Sequence, residues 1–259
     1  MTVGIIGHGW VGKAMSALFP SATIFDPALD YHNVSAFNAD VIFICVPTPN
    51  REDGSLDTSI VANAVGKCDS SSLVVVRSTV NPGDCDHWQK TLRGQKICFQ
   101  PEYLGETVAH PLLDESKRPF IVIGGEPLNR RKLIELYQEV YNANIKIRQV
   151  GLLEAEVIKL SENRAIAFKV AQCQELYDAC QKAGVDYYTI RDAVYGDDPR
   201  FNLWWTFIYP DKRGFKSKCI PKDVYAWQAW AGTPFTKELL KYNDDLINKN
   251  HGDAPKDSA

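Results

Sequence analysis

The chain has 259 residues, with 29 Lys+Arg against 32 Asp+Glu for a net charge of -3. That balance excludes a broad cationic surface of the kind that grips nucleic acid. Apolar residues make up 45% and charged residues 24%, which excludes a largely disordered chain. The length suits one large or two modest domains, with a core that needs neither disulfides nor metals. No apolar run approaches the ~18 residues of a membrane span. The opening MTVGIIGHGW has no basic or leader-like stretch, so the sequence predicts a cytoplasmic chain with no membrane partner. Seven cysteines (Cys45, Cys68, Cys85, Cys98, Cys173, Cys180 and Cys219) lack C-x-x-C spacing, which predicts reduced thiols and no metal site.

Strand-like runs open the chain at Val3–Ile6, Ala22–Asp26, Asp40–Val46 and Leu73–Ser78, and continue at Lys96–Gln100, Pro119–Gly124 and Asn144–Arg148. Helical patterns at Trp10–Phe19, Thr58–Lys67 and Leu128–Tyr141 lie between them. Continuous apolar strands such as VIFICV, alternating with helices, predict an α/β fold: a Rossmann-like, doubly wound sheet covered on both faces. From Leu152 to Lys182 there is no Gly or Pro, and Gly184 follows as a stop, so one long helix is expected there. A helix at Tyr187–Val194, an aromatic irregular stretch from Tyr195 to Arg213, and helices at Lys222–Ala231 and Pro234–Asn248 complete the pattern. The domains read as 1–150 (cofactor sheet), 151–248 (all-helical, with the long helix as a connector between domains or a dimer seam) and a mobile tail at 249–259.

The first strand runs into GIIGHGWVGKAM, which places Gly7, Gly9 and Gly12 in a G-x-G-x-x-G turn that opens a helix. One glycine serves the tight turn, one lets the backbone approach a pyrophosphate, and one lets the helix pack on the strand. Trp10 and Val11 lie in that turn and would offer helix N-terminal amides to the phosphates. Asp26 ends the second strand, 19 residues after Gly7. A carboxylate there accepts from a ribose 2′-OH and repels a 2′-phosphate, so NAD is the expected cofactor. His8, inside the turn, reads as an exposed imidazole.

Five segments then occur in a fixed order: VPTPNREDGSLDTS, RSTVNPG, QPEYLGETVAHP, EAEVIKLSENRAIAFKVAQCQEL and GFKSKCIPKD. Together they resemble the UDP-glucose/GDP-mannose dehydrogenase family, and they cover nearly the whole chain. By that resemblance Cys219 is the nucleophile, with Asp223 a neighbouring acid–base or positioning group and Lys222 approaching the cofactor phosphates. The same resemblance makes Lys159 and Asn163 the pair that contacts substrate and steadies the charge developing on the sugar C6 oxygen. It makes Glu102 the hydrolytic base, Glu106 a cofactor or active-site neighbour and Thr79 the hydroxyl that positions water. Pro47 and Thr48 would line the cofactor channel, while Phe215 and Arg200 would contact substrate, Arg200 from a neighbouring subunit. The implied reaction takes a primary alcohol of a nucleotide sugar to a carboxylate through a thioester on Cys219.

On local grounds alone, Lys216, Lys218 and Lys222 and a following helix start favour the Cys219 thiolate. Lys159 and Asn163 are an i,i+4 pair and share a helix face. Two features depart from the family. Its members carry a third, nucleotide-binding domain that this sequence does not reach, and their G-F-G-G-S-C is here Gly214-Phe215-Lys216-Ser217-Lys218-Cys219. Replacing two glycines restricts the backbone beside the cysteine, while the added lysines suit an anionic group. Two alternatives therefore stand beside the nucleotide-sugar enzyme: an NAD-binding relative with a regulatory role, and a dehydrogenase of a smaller hydroxy acid.

Overall fold

A computed structural model describes residues 1–92, 94–105 and 114–252. The chain divides into two compact units, Met1–Lys159 and Leu160–Ala259.

The first unit is built on eight strands: β1 (Val3–Ile6), β2 (Thr23–Asp26), β3 (Tyr31–His32), β4 (Val41–Ile44), β5 (Leu73–Val76), β6 (Lys96–Phe99), β7 (Phe120–Gly125) and β8 (Lys146–Val150). They form one sheet in the order β3-β2-β1-β4-β5-β6-β7-β8. Pairing is parallel from β2 through β6 and again between β7 and β8, but antiparallel at β2–β3 and β6–β7. The short strand β3 was not anticipated. It folds back on β2 through a 3-10 turn at Pro27–Leu29 and a left-handed Asp30.

The two faces of this sheet explain the unbroken apolar strands. In β4, Ile42 and Ile44 join a core with Val74, Val76 and Phe99 on one face, and Val41 and Phe43 join Val75, Cys98 and Ile123 on the other. Helices α1 (Trp10–Leu18) and α4 (Pro127–Tyr137) supply Met15, Leu18, Leu133 and Tyr137 to the second face. Helices α2 (Ser59–Lys67) and α3 (Asp84–Thr91) supply Val61, Val65, Cys85 and Trp88 to the first. Successive strand residues point to opposite faces, so a sheet buried on both has no polar alternation to show. The long helix α5 (Leu152–Ala183) starts here as well, with Leu152 and Ala155 in the first-face core. Gly124 makes room for it, since a Cβ there would lie 2.5 Å from the Ala155 Cβ.

The second unit is helical: the remainder of α5, then α6 (Tyr187–Arg191), α7 (Ile220–Ala231) and α8 (Pro234–Gly252). Gly184, at φ +73°, follows the end of α5. Asp186 caps α6 by accepting from the Thr189 amide at 2.7 Å. The helix expected over Tyr187–Val194 stops at Arg191 and continues as a π-helical segment, Asp192–Asp197. Two cores hold this unit. Ala167, Phe215, Val224 and Leu240 form one, and Cys173, Cys180, Tyr187, Tyr195 and Ile208 form the other. Helix α8 runs past the expected start of the tail at 249, and residues 253–259 lie outside the described part. Among the described residues no helix is long and apolar enough to cross a membrane, and no cluster of side chains could hold a metal ion.

Candidate functional site

Strands β2, β1, β4, β5 and β6 run in one direction, so their carboxyl ends share one edge of the sheet. The chain leaves that edge at Gly7, Asp26, Pro47, Thr79 and Glu102, which gathers the first unit's expected site residues along one border. Between β1 and β4 the strand order reverses, and such switch points open the crevice where open α/β sheets take ligands.

The three glycines of the turn have three different surroundings. Gly7 adopts φ +88°, and a Cβ on it would lie 2.5 Å from the Cys45 carbonyl oxygen. A Cβ on Gly12 would lie 2.0 Å from the Gly7 carbonyl oxygen, so α1 can approach β1 only because that side chain is missing. Gly9, at the N-cap of α1, has nothing within 4 Å of its Cβ position. The first two positions are closed by the protein, whereas the third is open. No side chain caps α1, so the amides at Trp10 and Val11 start a helix with its positive end toward that space. Trp10 is exposed and Val11 half-buried.

Asp26 is tied to the same turn. Its Oδ2 accepts from the His8 amide at 2.6 Å and its Oδ1 from the Ala28 amide at 3.1 Å. Each carboxylate oxygen has capacity for a further hydrogen bond, so the group fits a ribose hydroxyl. His8 differs from its expected exposure. The ring is buried, its Nε2 is 3.0 Å from the Ser16 hydroxyl, and Tyr31 of the unanticipated strand β3 packs edge-on at 5.0 Å. Ser16 donates to the Lys13 carbonyl, which leaves His8 Nε2–H as the donor to Ser16. Thr48 is buried after β4 and Pro47 is exposed. The Ser78 hydroxyl accepts from the Val46 amide at 2.9 Å and donates to the Val46 carbonyl at 2.7 Å, stitching that loop to the half-buried Thr79 segment.

Glu102 stands in a buried ion cluster. Arg77 Nη2 donates to its Oε2 at 2.7 Å and Arg118 Nη2 to its Oε1 at 3.1 Å, and the Leu104 amide donates to Oε1 as well. Glu115 closes the cluster, accepting from Arg118 Nε at 2.6 Å, from both Arg77 Nη atoms, and from the Tyr141 hydroxyl at 2.9 Å. Burial opposes the Glu102 charge, but Arg77 and Arg118 outweigh it and hold the carboxyl below its usual range. A carboxylate held this way is a weak base, and Arg77, Arg118 and the Leu104 amide take three of the hydrogen bonds it can accept. Its backbone carbonyl accepts from Lys159 Nζ at 2.5 Å, and the same ammonium lies 5.7 Å from the Tyr103 ring centre. Lys159 is buried, unlike an ordinary surface lysine. Arg77, Arg118 and Glu115 received no role from the sequence, although Arg77 directly follows the apolar strand LVVV. Glu106 lies outside the described residues.

In the second unit Asp223 is fully buried at the first turn of α7. Its Oδ2 accepts from Asn163 Nδ2 at 2.5 Å and its Oδ1 from Lys222 Nζ at 2.7 Å. Its amide donates to the Cys219 carbonyl at 3.0 Å, closing the first turn of the helix that Cys219 caps. Cys219 is exposed, while every other cysteine is buried except the half-buried Cys45, and none forms a disulfide. Lys216, Ser217 and Lys218 are exposed too. Phe215 is the residue expected to touch substrate beside Cys219. Its side chain is buried in the core with Ala167 and Leu240, and Asn243 binds its amide at 2.7 Å and its carbonyl at 3.3 Å. Arg200 is exposed but bound within its own chain, with Nε and Nη2 on the Asp198 carboxylate at 3.0 and 2.6 Å.

Comparison with known proteins decides the kinship. Residues 28–144 match the UDP-glucose/GDP-mannose dehydrogenase family NAD binding domain, and residues 153–247 match that family's central domain. The chain belongs to this family. A UDP-glucose 6-dehydrogenase of Rickettsia typhi is 31% identical over 198 residues, which cover 73% of this chain. The chain spans about 44% of that relative's length. A UDP-glucose dehydrogenase from Pyrobaculum islandicum superposes over 97% of this chain and 71% of its own, with a TM-score of 0.78 at 23% identity. A UDP-D-ManNAc dehydrogenase from Pyrococcus horikoshii covers 97% of this chain and 70% of its own, with a TM-score of 0.81 at 20% identity. At these identities the structural likeness establishes the fold. The carboxyl-edge turn, with its open Gly9, therefore lies in a fold whose family domain binds NAD, and its glycines and Asp26 suit that dinucleotide.

Proposed function

We propose that the chain oxidises the C6 primary alcohol of a UDP-glucose-like nucleotide sugar to the carboxylate. The observation that carries this reading is the junction at the start of α7, where Asn163 and Lys222 both bind the buried Asp223 one turn from the exposed Cys219. A single hydride transfer from an alcohol has no use for a thiol, whereas a second oxidation from the aldehyde level does. NAD, which Gly7, Gly9, Gly12 and Asp26 would hold, would supply the hydride acceptor for each of the two oxidations, one molecule for the alcohol and a second for the thiohemiacetal on Cys219. Lys159 and Asn163, one turn apart on α5, stabilise negative charge on the C6 oxygen. The Cys219 thiolate, favoured at a helix start with Lys218 and Lys222 nearby, adds to the aldehyde carbon and keeps that carbon bound until water releases the acid from the thioester. Asp223 keeps Asn163 and Lys222 in fixed orientations through their shared carboxylate. Lys216 and Lys218 add positive charge suited to the phosphates of the nucleotide. A second copy of the chain, joined along α5, is the proposed partner.

Reduction of NAD by UDP-glucose, UDP-N-acetyl sugars, GDP-mannose and small hydroxy acids tests the reading. Turnover with a nucleotide sugar is the expected result. Turnover confined to small hydroxy acids, or NAD binding with none of these substrates oxidised, would overturn it.

A further inference from the structure

Glu156 is a buried acid with no part in the reaction just described. It lies in the second turn of α5, yet its carboxylate serves another helix. Oε2 accepts from the Gly83 amide at 2.6 Å and Oε1 from the Cys85 amide at 2.9 Å, at the N-terminus of α3. These amides belong to the group that a helix leaves unsatisfied at its start, and no side chain of α3 caps them. Three residues further along α5 is Lys159, nearly one helical turn on and on the same side of the helix. Among the described residues, the Lys159 ammonium is met by the Glu102 carbonyl and the Tyr103 ring. Rotation of α5 about its axis would carry it off both.

We propose that Glu156 is a positioning residue for Lys159: its carboxylate, seated on the Gly83 and Cys85 amides, fixes the rotation of α5 and so holds the Lys159 ammonium against the Glu102 carbonyl and the Tyr103 ring. The catalytic consequence rests on the reading of Lys159 given above, whereas the placement of Lys159 does not. Both carboxylate oxygens are used as acceptors, so a proton on either puts an O–H against an N–H and releases one side of the clamp. Burial pushes the Glu156 carboxyl up to about 7, against the pull of the two amides, and the charge of Asp84 on α3 raises it further. The other groups facing it are the Cys85 thiol, itself raised by burial and by Glu156, and Asp86 beyond it; on α5 the nearest charge along this face is Lys159. The clamp is therefore closed above neutral pH and loosens below it.

Labelling of individual lysines by reductive methylation, read by mass spectrometry, tests this without any need for turnover. In the parent, Lys159 labelling normalised to the exposed Lys13 should rise about tenfold between about pH 8 and pH 6, as expected when the rotated helix leaves Glu156 buried but off its amides, where it holds the proton more tightly than in the clamped form. In Glu156→Gln, which keeps one acceptor and turns an NH2 toward the other amide, the ratio should be high at both pH values and NAD affinity unchanged. A Lys159 ratio in the parent that is flat across this range would overturn the proposal, and that arm needs no variant to fold. So would a Glu156→Gln protein with Lys159 as protected as in the parent. Where a nucleotide sugar turns over, Glu156→Gln should lower kcat about tenfold or more with little change in KM. Absence of turnover in the parent refutes the dehydrogenase reading and leaves the labelling test standing.

Discussion

Gly9→Ala separates a ligand's space from a packing requirement. The open surroundings of the Gly9 Cβ position and its negative φ of -71° leave room for an alanine methyl. Two small terms then compete. Replacing glycine stiffens the unfolded chain and stabilises by about 0.4–1 kcal/mol. Alanine is the poorer N-cap and costs on the order of 1 kcal/mol. Their sum should leave urea stability within about 1 kcal/mol of the parent. Gly12→Ala is the contrast, because its Cβ would sit 2.0 Å from the Gly7 carbonyl oxygen and α1 would have to move. An overpacked contact of that kind costs about 1–3 kcal/mol. If the pyrophosphate passes over Gly9, the methyl group occupies its path, and calorimetry should record at least about a tenfold loss of NAD affinity, or 1.4 kcal/mol. Full NAD affinity in Gly9→Ala would refute the phosphate cradle. A loss of several kcal/mol in urea would refute the claim that this space is open.

Asp26→Asn keeps an acceptor for the His8 amide but removes the charge, so the ratio of NADP to NAD affinity should rise about tenfold with little change in stability. Arg77→Met leaves Arg118 alone with the buried Glu102 and Glu115, and urea unfolding should show a loss of about 3–5 kcal/mol. Adding Glu115→Gln to that variant should recover part of the loss. Glu156 makes its own contribution to stability against pH. Its native carboxyl titrates at about 7 against an ordinary 4.5, so the native state holds the extra proton between those values. Stability should therefore fall by roughly 3 kcal/mol as pH rises from about 4.5 to 7, and Glu156→Gln should lack that fall. A buried acid that costs stability when ionised is what a positioning role, rather than a stabilising one, leads us to expect.

Much of the sheet was legible because VIFI and LVVV bury both faces, and a short continuous apolar run between helical patterns has few other homes. Gly7 and Gly12 announced themselves through constraints that only a missing Cβ meets. Helix α3 was not foreseen, since DCDHWQKT buries only Cys85 and Trp88 and shows no apolar period. The ion cluster was equally hidden. Arg77 looks like a surface residue until Glu102 and Glu115 arrive from 25 and 38 residues away. His8 read as exposed because its cover, Tyr31, belongs to a strand of two residues that no pattern marks. Phe215 was placed at the substrate by family likeness alone, and Asn243, far along the chain, binds its backbone while its ring fills the core. The local pair of Lys222 with Asp223 was not read either, because family likeness had assigned Lys222 to the cofactor phosphates.

The central claim is that the Cys219 sulfur carries the substrate between two oxidations. Its most direct test is the count of NADH formed per nucleotide sugar consumed, in the parent and in Cys219→Ser. The account predicts two per sugar in the parent, and in the variant a reaction that does not complete the second. One NADH per sugar in both proteins, at equal rates, would contradict it.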